Sequence, residues 1–422
     1  MSIKNKQTEI GVIPEDWEIV PLKQLYTITS SKRVFQSEWK KTGIPFYRAR
    51  EIAVMSEGKE APEDLFITYE MYDAYTRQYG AIAENDILIT GVGTLGKVYV
   101  VKASDRFYFK DGNIIWLQWK GKCCSQYIKY LYDMPYIKRQ VFDNAGGSTV
   151  GTYTISNAQD TMVAIPNYDE QCKTAKALSD IDELISSLEK LIAKKKAIKQ
   201  GAMQQLLTGK TRLPGYTAEW EEKRLGEYID CIRGVSFDGT TDVFETETSY
   251  TIRLLRSNNI HEGCFVEDGF LYINAKKSSE TQRIRSDDIM ICMANGSKSL
   301  VGKNCLFKTI PFGKYTFGVF MSCLRKKSEK VNMSFIYYVI NTNLYWKYIS
   351  IILSGSSINN LRPGDILSMR FRFPSMEEQN AIAKALTNID SEIWGLEEKK
   401  NKAQAIKQGM MQQLLFGKIR LM

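Results

Sequence analysis

At 422 residues the chain is too long for one ordinary core, and its size favours two or three compact units. Hydrophobic residues make up 44% and charged residues 25%, the balance of a soluble globular protein rather than a disordered or membrane-embedded one. The formal net charge of +9 is moderate for this length, so it permits a polyanionic partner without requiring one.

Taken in chain order, the N-terminus lacks the apolar core of a signal peptide, and IPEDW follows at residues 13–17. DILIT at 86–90 and KVYVVK at 97–102 read as strands on either side of a glycine loop, and residues 126–142 read as a helix. A long helical run follows Pro166, in which Ile181, Leu184, Ile185, Leu188, Leu191, Ile192 and Ile198 share one face before Gly209 stops it. DIMICM at 288–293 is a further buried strand, and residues 334–353 a second helix. This last stretch is the most membrane-like of the chain, but Asn341, Asn343 and Lys347 interrupt it, so it reads as an aromatic-rich helix of a soluble domain. After Pro374 the long helical run returns, with Ile382, Leu386, Ile389, Ile393, Leu396 and Ile406 on its apolar face and Gly417 as its stop.

The chain is written twice. Residues 166–213 align without a gap on 374–421 with more than half of the positions identical, and AIKQGAMQQLLTGKTRL returns as AIKQGMMQQLLFGKIRL. Weaker matches continue upstream: FYRAREI from Phe46 faces LLRSNNI from Leu254, Gly96-Lys97 faces Gly302-Lys303, and Trp17 and Leu22 face Trp220 and Leu225. Two divergent globular parts are thus each followed by a nearly invariant tail. Stripes of this kind are an aggregation hazard on a lone helix, so the two tails are expected to pack on each other. The expected organisation is α+β, with globular parts at 1–165 and 214–373 and helical spacers at 166–213 and 374–422.

Catalysis has no visible home. GVGTLGK at 91–97 satisfies GxGxxG, but Val98 stands where a phosphate loop needs Ser or Thr, and the segment beyond alternates like a strand rather than opening a helix. His261 is the single histidine, no zinc spacing occurs, and the eight cysteines show no CxxC pair, as expected of reduced thiols in a cytoplasmic protein. No metal site or cofactor is expected on this chain.

Basic and small polar residues at matching places in both halves are the better candidates, because phosphates attract cations while Arg, Asn, Gln, Ser and Thr read base edges. In the first half these are Ser31, Lys32, Arg33, Arg48, Arg50, Gly147, Ser148 and Thr149. In the second they are Arg233, Arg253, Arg256, Asn258, Asn259, Lys298, Ser356, Ser357 and Asn359. Arg50 against Asn258 is one slot with two different base preferences. The lysines at 190, 194, 195, 196, 199 and 210 read as the solvated face of the first long helix.

With IPEDW at 13–17, DILIT…GTLGKV at 86–98, the glycine-serine turn at 147, the IP…EQ run at 165–171 and KQGxMQQLLxGKxRL present twice, the chain resembles the specificity subunits of type I restriction-modification systems. The resemblance covers essentially the whole chain. Two departures are mild: Phe373 precedes Pro374 where the first copy has isoleucine, and the second glycine-serine turn continues as INNLRPGD.

The resemblance implies two target-recognition domains, each reading half of a bipartite double-stranded DNA target, joined by two long helices packed as an antiparallel coiled coil. It further implies two methyltransferase subunits per chain and additional restriction-translocase subunits, with S-adenosylmethionine, ATP and Mg bound by those partners. Other readings are a specificity subunit of a related methylation system without the motor, a coiled-coil interaction protein without sequence preference, and an enzyme using the Gly91 loop for a nucleotide.

Overall fold

The computed structural model describes residues 4–143, 151–308, 314–355 and 359–421. It divides into two compact units, residues 1–189 with 398–422, and residues 190–397. Each unit therefore holds one globular part, the start of the long helix that follows that part and the end of the other long helix.

The two globular parts share one topology although few of their residues match. In the first unit a four-stranded antiparallel sheet runs in the order Tyr26–Thr29, Ile114–Trp119, Ile87–Thr90, Val98–Val100. In the second the order Ile229–Arg233, Met321–Lys326, Ile289–Cys292, Asn304–Leu306 repeats it. A smaller sheet also recurs: Ile44–Tyr47 pairs parallel with Tyr108–Phe109, as Thr251–Leu255 does with Tyr315–Phe317. The ends of each part are tied by an antiparallel pair, Glu18–Pro21 with Met162–Ile165 and Glu221–Arg224 with Arg370–Phe373.

The DILI and DIMI runs are fully buried strands, as the sequence leads one to expect. Each is led by a residue in the left-handed region, Asn85 and Asp287, types that tolerate it. Each also has a buried aspartate that fastens the turn. Asp86 accepts from the Ala83 and Trp119 backbone N–H groups and the Trp116 indole, and Asp288 from the Arg285 N–H and the Arg325 guanidinium. The Gly91–Lys97 run closes a hairpin between Ile87–Thr90 and Val98–Val100, with Gly93 and Gly96 at positive φ and the Lys97 N–H on Thr90 Oγ1.

The helices expected over 126–142 and 334–353 are each broken in two. Ser125–Leu131 gives way to Pro135–Asp143, because Pro135 lacks the N–H that would continue the ladder and suits a first helical turn. Met333–Val339 gives way to Asn343–Ser354, where the Thr342 hydroxyl caps the new helix. Among the described residues no helix is long and apolar enough to cross a membrane.

The long helices run from Tyr168 to Leu206 and from Met376 to Leu414, 39 residues and about 58 Å each. Gly209 and Gly417 end them at positive φ. Within each unit their halves pack antiparallel: Ala175 and Leu178 join Met410, Met411 and Leu415 in one core, and Met203 and Leu206 join Ile382 and Leu386 in the other. The buried and half-buried seam runs through 178, 181, 185, 188 and 192 on the first helix and 382, 386, 389, 393 and 396 on the second, the alternating three-and-four step of a coiled coil.

That seam is narrower than the expected apolar face. Ile181, Ile185, Leu188, Ile192, Ile382, Leu386, Ile389, Ile393 and Leu396 lie in it, whereas Leu184, Leu191, Ile198 and Ile406 are 40–47% exposed. Leu184 and Leu191 each stand one residue before a seam position, which turns them about 100° away. Of the lysine strip, Lys190, Lys194 and Lys210 are exposed as expected, and the other three differ. Lys195, Lys196 and Lys199 pair with Glu392, Glu397 and Asp390 of the second helix, so they bridge the helix pair along its rim.

Candidate nucleic-acid interface

The repeated tail motif is explained by clamps that fix each globular part to the helix pair. In the first unit Arg420, just past the second long helix, donates to both oxygens of Glu170 at the start of the first, at 2.9 and 2.6 Å. In the second unit Arg212 holds Glu378 in the same fork, at 2.6 Å on both arms. Neighbouring Gln171 and Gln379 are buried and bind the Pro166 and Pro374 carbonyls. The tryptophans of the weak upstream match sit on the terminal glycines: a Cβ on Gly417 would meet Pro14 and Trp17 at 2.4 and 3.0 Å, and one on Gly209 the Trp220 ring at 3.5 Å.

A second repeated contact joins globular part to helices. Tyr130 donates to Asp182, which Lys407 also binds, and Tyr338 donates to Asp390, which Lys199 also binds, with the ammonium over the ring in both cases. What is kept in both copies is therefore the frame.

The candidate reading residues lie on a strand followed by a tight turn. Ile44–Tyr47 leads to Arg48, whose backbone N–H, Nε and Nη2 all donate to the buried carboxylate of Glu51. Arg50 donates to the same carboxylate and to Asp64. Burial works to raise the Glu51 carboxyl, but hydrogen bonds from Arg48 and Arg50 outweigh it and hold it below the usual glutamate range. Both arginines are thereby committed to the turn, with Arg50 keeping 62% of its side chain exposed.

In the second unit Thr251–Leu255 leads to Arg256, whose N–H donates to Asn259. Asn259 stands where the first unit has Glu51; it is wholly buried and donates to the Asp268 and Val266 carbonyls. The substitution removes the acid. Among the described residues the Arg256 guanidinium keeps one hydrogen bond, Nη2 to the Gly269 carbonyl at 3.2 Å, and its buried Nε has no partner.

Arg256 and Asn258 line a groove of about 900 Å³ with Asn295, Asn359, Val319 and Phe320. Asn295 binds Ser257 and the Ser297 N–H, and Asn359 donates to the Gly296 carbonyl. This is a concave surface offering one arginine uncompensated by acid, a set of amides and an apolar lip, the chemistry that reads base edges. Asn295 and Phe320 were not singled out in the sequence; Asn295 follows the DIMICM strand closely, but its place beside Asn359 comes from tertiary packing.

Other candidates are placed apart from this groove. Arg253 is locked between Glu247 and Glu267 over Phe270 and Tyr315. Arg233 and Lys298 are exposed. In the first unit Ser31 donates to the Phe109 carbonyl, the Lys32 N–H to Tyr108, and Arg33 to Asp111. Gly147, Ser148, Thr149, Ser356 and Ser357 lie outside the described residues. Among the described residues no cluster of His, Cys, Asp and Glu is arranged to hold a metal ion. Burial pushes the Cys123 and Cys231 thiols up to about 11, which suits packing rather than nucleophilic chemistry.

Comparison with known proteins agrees with this architecture. Residues 14–200 and 217–407 each match the family model described as type I restriction modification DNA specificity domain. The type I restriction enzyme MjaVIII specificity subunit of Methanocaldococcus jannaschii is 22% identical over 97% of this chain and 94% of its own length. The type I restriction enzyme EcoKI specificity subunit of Escherichia coli (strain K12) is 32% identical over 163 residues, 38% of this chain and 34% of that one. Among solved structures, the S subunit of a type I restriction-modification system from M. genitalium has the same fold, with a TM-score of 0.65 over 98% of this chain and 99% of its own at 15% identity. With both halves matched by one model, the chain belongs to the type I restriction modification DNA specificity domain family and carries that domain twice.

Proposed function

We propose that this chain reads a bipartite DNA target, one globular part per half-site, as the non-catalytic specificity subunit of a type I restriction-modification complex. The observation that carries the reading is the contrast between frame and turn. Clamps and helix contacts are kept residue for residue, whereas Arg-Ala-Arg-Glu at 48–51 faces Arg-Ser-Asn-Asn at 256–259 on the same strand and turn. Two different readers on one repeated scaffold are what a split, asymmetric target requires. The names of the MjaVIII and EcoKI chains, both specificity subunits, support the same assignment.

The chain is further proposed to scaffold methyltransferase subunits, two per chain, together with restriction-translocase subunits, in the cytoplasm. Leu184, Leu191 and Ile198, seven residues apart and exposed on the first long helix, support docking of partner helices there. S-adenosylmethionine, ATP and Mg are assigned to those partners. Genome-wide mapping of methylated adenines with and without this gene tests the reading: one bipartite motif disappears with the gene. An unchanged methylome contradicts it. A system that lacks a motor subunit gives the same lost motif without ATP-dependent restriction.

A further inference from the structure

We propose that Phe320 is an apolar base reader that recognises the C5 methyl group of a thymine in the half-site read by the second globular part. The inference rests on the DNA-reading function proposed above and adds the base feature that this groove selects.

Phe320 is 66% exposed and Val319 46%, yet their backbone is fixed. The Met321 N–H binds the Gly318 carbonyl to close a tight turn, and the Gly318 N–H binds the Leu255 carbonyl, one residue before Arg256. The Phe320 carbonyl accepts from both Met293 and Ala294. The turn is packed so closely that a Cβ on Gly234 would fall 2.0 Å from the Gly318 oxygen. A large aromatic side chain is thus held out to solvent on a hydrogen-bonded, closely packed turn, at the lip of the groove formed with Arg256, Asn258, Asn295 and Asn359.

The neighbouring groups suit guanine and adenine edges in the major groove, where arginine and asparagine make their paired contacts. The base feature left for an apolar side chain to recognise there is the thymine methyl. The first unit differs at the matching turn, residues 110–113, which carries Asp111 paired with Arg33 and no apolar tip. Methyl recognition by this device is therefore specific to one half-site.

The test uses the full chain assembled with its modification subunits and duplexes carrying the mapped target, in which each thymine in turn is replaced by deoxyuridine. One deoxyuridine in the second half-site is expected to weaken binding roughly four-fold, the value of one buried methyl. Phe320→Ala abolishes that difference and Phe320→Leu preserves part of it, while deoxyuridine effects in the first half-site are unchanged by either. A second half-site without thymine on either strand, or a deoxyuridine penalty that Phe320→Ala leaves intact, overturns the proposal. So does a Phe320→Ala loss that is equal on thymine and deoxyuridine duplexes, the signature of a wedge between base steps. Absence of sequence-specific binding by the unaltered complex would instead fall on the functional reading itself.

Discussion

Replacing Arg420 by alanine tests whether the repeated tail motif is a structural clamp. The guanidinium makes two charge-assisted bonds to Glu170, whose side chain is 4% exposed, and a further contact to Asp16, which is 58% exposed and contributes little. Removing the arginine leaves a buried carboxylate without its counter-charge, a loss of about 3–5 kcal/mol. For a unit of this size that corresponds to a fall in melting temperature of roughly 6–20 °C. Differential scanning calorimetry reads the shift, and hydrogen exchange locates it to residues 165–178 and 410–421. The double variant Glu170→Gln/Arg420→Met, which removes both charges, regains at least half of the loss. A shift below about 2 °C for Arg420→Ala, or a double variant as unstable as the single one, refutes the clamp.

Three further outcomes are expected. Arg256→Ala relaxes base preference at one position of one half-site at a cost of about 1–3 kcal/mol, read by methylome mapping and binding to single-substitution duplexes; uniform weakening on all sequences would mark a phosphate contact instead. Glu51 has a lowered carboxyl pKa in the folded chain, so its contribution to stability is complete above the unfolded value of about 4.3 and is lost as pH falls through the folded value. Hydrogen exchange around residues 46–52 should accelerate over that window in the native chain but stay flat in Glu51→Gln. The purified chain free of partners should show no methyltransferase, nuclease or ATPase turnover, and any such turnover contradicts the assignment of catalysis to partners.

The frame was legible in the sequence because it is local and repeated. The proline starts, glycine stops and three-and-four spacing delimited both long helices to within two residues, and the DILI and DIMI runs announced buried strands. The face actually buried was less legible. Leu184, Leu191 and Ile198 have the same apolar character as Ile185 and Ile192, and only the partner helix decides which row it covers. The reading residues were hardest. Arg48 and Arg256 look equivalent in sequence, yet Glu51 neutralises the first and Asn259 leaves the second free of acid. Arg253 looked available until the fold set Glu247 and Glu267 against it. Whether a surface arginine is free to meet DNA depends on acids brought near by folding.

The most direct test of two independent readers is to replace residues 217–373 by a second copy of residues 14–165, leaving both long helices and their clamps intact, and to map methylated adenines in cells carrying the hybrid. With assembly verified, the account predicts a target that keeps the first half-site and carries it twice in place of the original second half. A hybrid that still modifies the original target, or that alters both halves together, would contradict it.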